Sequence, residues 1–176
     1  MEKKQAELSF LRSQINPHFL FNTLNNIYSL SQYQPQLVSE SVVRLSKILR
    51  YLLYETSHEL VPVGKEIRIL TDYIDLEKLR YSETVSIRFT HEVEDLSEMM
   101  PPLLLIPLVE NAFTHGISVS RGNRFVEVEC ILRDRQLRFV VRNSIYPAVD
   151  YQEEAKENIG LPNLRRRLTL LYKEFD

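Results

Sequence analysis

Apolar residues recur at helical spacing through the first third of the chain. Leu8, Leu11, Ile15 and Phe19 keep the step of one turn, and Leu20, Leu24 and Ile27 continue it with a small shift, which predicts a helix over residues 4–32. Pro17 falls inside it. Its ring crowds the carbonyl of Ser13 and it has no N–H to donate, so a kink is expected there. Pro35 ends this helix, and a second begins near residue 36. Its apolar positions Val38, Val42, Leu45, Leu49 and Leu52 are spaced 4, 3, 4 and 3, a heptad seam that Ile48 and Leu53 widen. Two such helices joined by a short turn make an antiparallel hairpin that cannot bury both faces alone. Pairing two chains into a four-helix bundle is the natural solution, so a homodimer is expected.

The pattern changes after Pro62. Residues 64–80 read as a third helix with Ile67, Leu70, Ile74 and Leu79 inward. Val85-Ser86-Ile87-Arg88-Phe89 alternates as a half-buried strand does. Residues 101–116 read as an apolar helix opening on Pro101-Pro102. Residues 125–129 and 137–141 alternate again, and the polar stretch Arg133-Asp134-Arg135-Gln136 joins them as a hairpin. Residues 146–158 are polar, contain Pro147 and show no period, so they read as a loop. A last helix is expected over 161–172. The fold class is α+β, with a dimerising helical hairpin over 1–60 and a separate α+β domain over 61–176. The stretch Ser57–Gly64, with Pro62 and Gly64, is the expected hinge.

Composition narrows the function classes. The net charge of −2 gives no global basic field, which argues against direct binding of nucleic acid. Cys130 is the only cysteine, so an intrachain disulfide is impossible and the cysteine pairs of a structural zinc site are absent. No stretch of 18 uninterrupted apolar residues exists, so no membrane-spanning helix is expected, and residues 1–14 do not resemble a secretory leader. The opening Met1-Glu2-Lys3-Lys4-Gln5 looks like the middle of a charged helix, as in a piece of a longer protein.

Two polar constellations stand out against this frame. The first is Asn16-Pro17-His18-Phe19-Leu20-Phe21-Asn22. A kink beside His18 can hold the imidazole away from the seam, and neutral imidazole is a good nucleophile near pH 7. Asn22 lies one turn on, on the same face. A hydrogen-bonded helix histidine beside a tolerated proline explains the same residues. The second is Pro107-Leu108-Val109-Glu110-Asn111-Ala112-Phe113-Thr114-His115-Gly116. Among so many apolar neighbours, Glu110 and Asn111 must face a cleft or find partners. An amide oxygen beside a carboxylate suits hydrated Mg²⁺, while Asn111, His115 and Gly116 also suit a helix end.

The string from Gln14 to Asn25 resembles the signature of the LytS-like family of sensor histidine kinases. The resemblance implies that His18 is the phosphoacceptor and takes the γ-phosphate of ATP, that the chain forms a homodimer, and that a response regulator protein later takes the phosphate. Commoner histidine kinases often carry an acidic residue directly after the histidine. Phe19 stands there, which makes Glu110 a candidate base. Asn22 has the spacing of the residue that positions a water for dephosphorylation in those kinases. The second constellation resembles the N box of the Bergerat-fold ATPases, which implies Asn111 as the Mg ligand and Glu110 as its acidic partner. Thr114 stands where that family often has a cation, and His115 is expected near the phosphates.

Two further boxes follow. The adenine-binding aspartate of that superfamily corresponds to Asn143, whose amide oxygen can accept from the adenine amino group; a strand-end Asn starting a turn explains it equally. Asn158-Ile159-Gly160-Leu161-Pro162-Asn163-Leu164 resembles the last glycine box, where a glycine before a helix lets backbone amides approach phosphate. Gly160, Leu161 and Asn163 are the binding positions there. Residues 146–158 correspond to the mobile ATP lid. By this resemblance the second domain is a Bergerat-fold α/β sandwich that stops about two strands short of the family domain. The implied protein is an ATP- and Mg-dependent sensor histidine kinase of a two-component system. This chain would be its cytoplasmic part, and segments upstream would hold the full-length protein in the bacterial inner membrane. The altered boxes leave an alternative, a dimeric signalling scaffold without efficient ATP turnover.

Overall fold

The computed structural model describes residues 17–81, 85–117, 124–145, 164–165, 168–169 and 172. The expected helix before Pro17 with its kink, the lid loop and most of the last helix lie outside these residues. Helix α1 is Pro17–Tyr33. It stops where Pro35 pushes Gln34 out of the helical region, to ψ 62°, and a short 3₁₀ turn over Pro35–Leu37 leads into helix α2, Val38–Tyr54. The hairpin thus forms as its sequence predicts.

The seam of α2 does not. Ser41, Leu45, Ile48, Tyr51 and Leu52 are buried, whereas Val42 and Leu53 are 45% and 47% exposed. The reason is helix α3, Val63–Lys78, which packs on α2 and covers a stripe displaced from the heptad positions. Of the expected face, Leu45, Ile48 and Leu52 belong to the buried stripe as well. The inward set expected for the third helix holds at Ile67, Leu70 and Ile74, all buried; Leu79 lies just beyond the helix and is half-buried.

Helix α3 also buries three carboxylates, and each has a donor. Tyr51 Oη donates to Glu66. Arg80 Nη1 reaches both oxygens of Glu77, at 2.8 and 2.6 Å. Arg44 of α2 bonds Asp72 at 2.8 Å, Asp75 at 2.9 Å and Glu40 at 2.7 Å. Burial alone would lower the Arg44 pKa; the Glu40 hydrogen bond and the charges of Asp75 and Asp72 outweigh it and raise it. Strand β1, Val61–Pro62, leads into α3 and pairs antiparallel with β3, Met99–Met100. Gly64 N donates to Leu96 O at 2.9 Å. A Cβ on Gly64 would sit 3.1 Å from both Cβ and O of Leu96, so a side chain there would force Leu96 to move by a few tenths of an ångström.

The remaining described strands form one three-stranded sheet in the order β2–β4–β5. Strand β2, Val85–Val93, runs parallel to β4, Arg124–Arg133, which pairs antiparallel with β5, Gln136–Asn143. The hairpin turn is Asp134-Arg135, with φ of 49° and 61°. Positive φ at both central residues is the geometry whose twist matches the strands. On β4, Val126, Val128, Cys130 and Leu132 are buried while Glu127 and Glu129 are not. Register puts Phe89, Val141 and Asn143 on the same face as Val126 and Val128.

The expected helix over 101–116 is three pieces. Pro101–Leu105 is irregular, with Leu103 at φ 56°; helix α4 is Ile106–Asn111; and a wider π turn covers Ala112–Ile117. A helix starting at residue 101 would put Pro107 in its interior, against the carbonyl of Leu103. Starting at Ile106 places Pro107 in the first turn, where its missing N–H costs nothing.

The chain divides into two compact units, Met1–Ser82 with Leu96–Pro102, and Glu83–Asp95 with Leu103–Asp176. Helix α3 therefore shares a unit with the hairpin, on the far side of the expected boundary at residue 60. Ser57–Gly64 lies within the first unit, and its strand β1 pairs with β3 there.

Candidate functional site

His18 stands in the first turn of α1 and is exposed. Its neighbour Phe19 is 8% exposed and stacks on Tyr73 of α3, with ring centroids 4.6 Å apart and planes at 29°. Adjacent residues of a helix point about 100° apart, so burying Phe19 turns His18 outward. One turn on, the Asn22 amide nitrogen lies 2.9 Å from His18 Nδ1, the same-face pairing the spacing predicts. Thr23 follows at 2% exposure, and its Oγ1 has no hydrogen-bond partner.

The second group lies in the other unit. Glu110 and Asn111 are half-buried at the end of α4, where the π turn begins. Val109, Ala112, Phe113 and Ile117 are all buried. The wider turn keeps these four apolar side chains inward and leaves Glu110, Asn111 and the exposed Thr114 off that face. The backbone of His115 and Gly116 falls within this turn. The π turn packs on β4 and β5, the strands whose ladder ends with Asn143 opposite Val126. Asn143 Nδ2 donates to Ser144 O at 3.0 Å, a bond that does not use the amide oxygen. Ser144 closes the strand end by donating N–H to Phe125 O at 3.0 Å and accepting from Phe125 N at 3.3 Å. Gly160, Leu161 and Asn163 lie outside the described residues.

Among the described residues no group of three or more His, Cys, Asp or Glu side chains is placed to hold a metal ion. A metal here would need donors from a ligand and water. That suits Mg²⁺, which binds through one or two protein oxygens plus phosphates. The amide of Asn111 and the carboxylate of Glu110 fit such a role.

The histidine kinase family profile matches residues 6–85. The chain is 36% identical, over 97% of its length, to the sensor histidine kinase YpdA of Escherichia coli strain K12. It is 32% identical over 97% of its length to the sensor protein LytS of Oceanobacillus iheyensis. The chain belongs to the LytS-like family of histidine kinases. It spans 31% of the length of each of those two relatives. It is also 29% identical over 93% of its length to the putative uncharacterized protein YwpD of Bacillus subtilis strain 168, of which it covers 62%.

Within this LytS-like chain, sequence reasoning paired His18 with Asn22 but missed Tyr73. The support for Phe19 comes from a helix more than fifty residues away, and a tyrosine in an amphipathic helix carries no mark of its partner. Ser144, which closes the strand end on Phe125, carries no sequence signal of that pairing. No described helix is long and apolar enough to cross a membrane.

Proposed function

We propose that this chain is the phosphoacceptor and ATP-binding part of a two-component sensor histidine kinase. His18 accepts the γ-phosphoryl group of ATP and passes it to an aspartate of a response regulator. The observation that carries the reading is the His18 setting: an exposed imidazole, held by Asn22 at 2.9 Å and anchored by the buried ring of Phe19 on Tyr73, in a chain of this family.

A ring nitrogen lone pair forms the N–P bond as the bond from phosphorus to the bridging oxygen breaks, and ADP leaves with that electron pair. Such transfer needs positioning and charge neutralisation above all. Mg²⁺, held by Asn111 and the phosphates, supplies neutralisation when bound. Glu110 is the proposed base, Asn143 the adenine contact, and His115, Gly116, Gly160, Leu161 and Asn163 the remaining nucleotide positions. After transfer, Asn22 positions a water for removal of phosphate from the regulator.

Homodimerisation through the hairpin is part of the proposal. Its support is the apolar surface the chain leaves uncovered. Phe21, Leu24 and Tyr28 are 66%, 48% and 71% exposed along one face of α1, and Val42 and Leu53 mark a face of α2. Placement in the cytoplasm, with the full-length protein in the inner membrane through segments outside this chain, follows from the same resemblance.

The test is incubation of the full-length protein with γ-labelled ATP. Acid-labile label should appear in wild type and be lost in His18→Ala; label that survives the substitution refutes the reading. One observation favours a second reading, a scaffold that turns over little ATP: Asn143 donates to its own neighbour's carbonyl where the family has an acid. Absence of any thermal shift with Mg-ATP in the full-length protein selects that reading.

A further inference from the structure

We propose that Arg44 of α2 is a positioning residue for phosphoryl transfer: by holding Asp72 it fixes the rotation of α3, and that rotation keeps Tyr73 seated on Phe19. The inference rests on the reading of His18 as acceptor. It adds a residue of another helix on which the aim of that side chain depends.

Arg44 binds three carboxylates, and one of them depends on it. The Glu40 side chain is 62% exposed, so water serves it as well. Asp75 is 30% exposed and is also bonded by Lys78 at 3.3 Å. The Asp72 side chain is only 12% exposed, and it meets Arg44 Nη1 at 2.8 Å. A carboxylate buried without a cation is costly, and removing one member of such a pair destabilises more than removing both. With Arg44 gone, α3 relieves Asp72 by turning it toward water.

Tyr73 cannot stay behind in that turn. It is the next residue of the same helix, 3% exposed, with its ring stacked on Phe19. Aromatic pairs hold together out to centroid separations of about 7 Å. From 4.6 Å, a shift of about 2–3 Å therefore releases Phe19. Phe19 is the buried neighbour that turns His18 outward, so its release frees the histidine to change its aim. Tyr51 also ties α2 to α3, through Glu66, but six residues earlier, about 9 Å along the axis. That tie holds the start of α3. Arg80 holds Glu77 from three residues further along the chain. The Arg44 tie falls one residue from Tyr73.

The test measures initial labelling rates of the full-length protein with γ-labelled ATP. Arg44→Met keeps the aliphatic stem and removes the charge. It should slow labelling about ten-fold with the apparent KM for ATP unchanged, as a misplaced nucleophile does. Asp72→Asn alone should label like wild type, because its amide oxygen still accepts from Arg44. Asp72→Asn added to Arg44→Met should restore labelling, since no buried charge is left to drive the turn. A pair that served stability alone would leave that double variant no faster than Arg44→Met. Urea unfolding gives a reading independent of the chemistry. Uncoupled sites add, but Phe19→Ala should shift the midpoint in Arg44→Met by about half or less of its shift in wild type. Wild-type labelling in Arg44→Met would overturn the proposal. So would a double variant as slow as Arg44→Met, or an undiminished Phe19→Ala shift. If Arg44→Met does not fold, the double variant decides: it should fold and label, and its failure also overturns the proposal. Failure of His18 as acceptor shows separately, as label that persists in His18→Ala, and the unfolding comparison decides the role of Arg44 even then.

Discussion

Replacing Thr23 with valine should make the protein more stable. Helical Ser and Thr side chains elsewhere in the first unit donate to the carbonyl one turn back: Ser41 to Leu37, Thr56 to Leu52 and Thr71 to Ile67, each at 2.8 Å. Thr23, at 2% exposure, makes no such bond. A hydroxyl buried without a partner costs about 1–3 kcal/mol on mutational scales. Valine keeps the branched shape, so no cavity opens to offset the gain. The expected stabilisation is about 1–2 kcal/mol, or about 2–4 °C in Tm per kcal/mol for a chain of this size. Thr71→Val is the internal control. It deletes a hydrogen bond that is made, so it should be neutral or cost about 1 kcal/mol. Urea unfolding followed by circular dichroism measures both, with the midpoints compared at equal slope. A Thr23→Val protein no more stable than wild type, or a Thr71→Val protein that gains as much, would refute the reasoning.

Other outcomes follow from packing and charge. Phe19→Ala should cost about 3–5 kcal/mol in urea unfolding, because it empties the site against Tyr73; a loss below 1 kcal/mol would mean the stacking is not made. Tyr51→Phe should cost about 1–3 kcal/mol, since it removes a donor from the buried Glu66; an unchanged midpoint would count against that bond. Burial pushes the Cys130 thiol up from 9.0 to about 11. Its folded pKa is the higher one, so its contribution is whole below pH 9.0 and is lost as pH rises through about 11. The loss amounts to about 2–3 kcal/mol, measured as the difference in alkaline unfolding between wild type and Cys130→Ala, and parallel profiles would contradict it. Arg135→Gly should gain about 1 kcal/mol in thermal unfolding by relieving a left-handed residue of the hairpin turn; destabilisation would show that the side chain matters more than its backbone strain.

The hairpin was legible because Pro35 and the apolar periods of both helices are local signals. The seam of α2 was not. Val42 and Leu49 fit a heptad as well as Ser41 and Ile48 fit the observed stripe, and only the arrival of α3 chooses between them. Glu66, Asp72 and Glu77 carry no sequence mark of burial, yet each is buried against a donor, Tyr51, Arg44 or Arg80, whose match depends on tertiary packing. Strands β4 and β5 declared themselves by strict alternation, and so did their turn. The helix around Asn111 was placed too early because its apolar residues outnumber its one structural constraint, Pro107. At the candidate site, His18 and Asn22 met through simple helix spacing. The roles of Glu110, Asn111 and Asn143 came from resemblance, because an exposed amide has no periodicity to announce it.

The parallel pairing of β2 with β4 has a consequence during synthesis. Strand β2 is complete once Val93 has left the ribosome, but the last residue of its partner is Arg133. At about 5–20 residues per second, those 40 residues take about 2–8 s. Through most of that interval, until Arg124 opens β4, β2 lacks the interstrand bonds it will keep, and an unpaired strand invites association with other nascent chains. Its outer face carries Arg88 and Glu92, which later bond Glu127 and Arg133 at 3.8 and 2.8 Å. Exposed pairs such as these add little to the finished fold. Their larger service comes earlier, as charges that keep a waiting strand from finding the wrong edge.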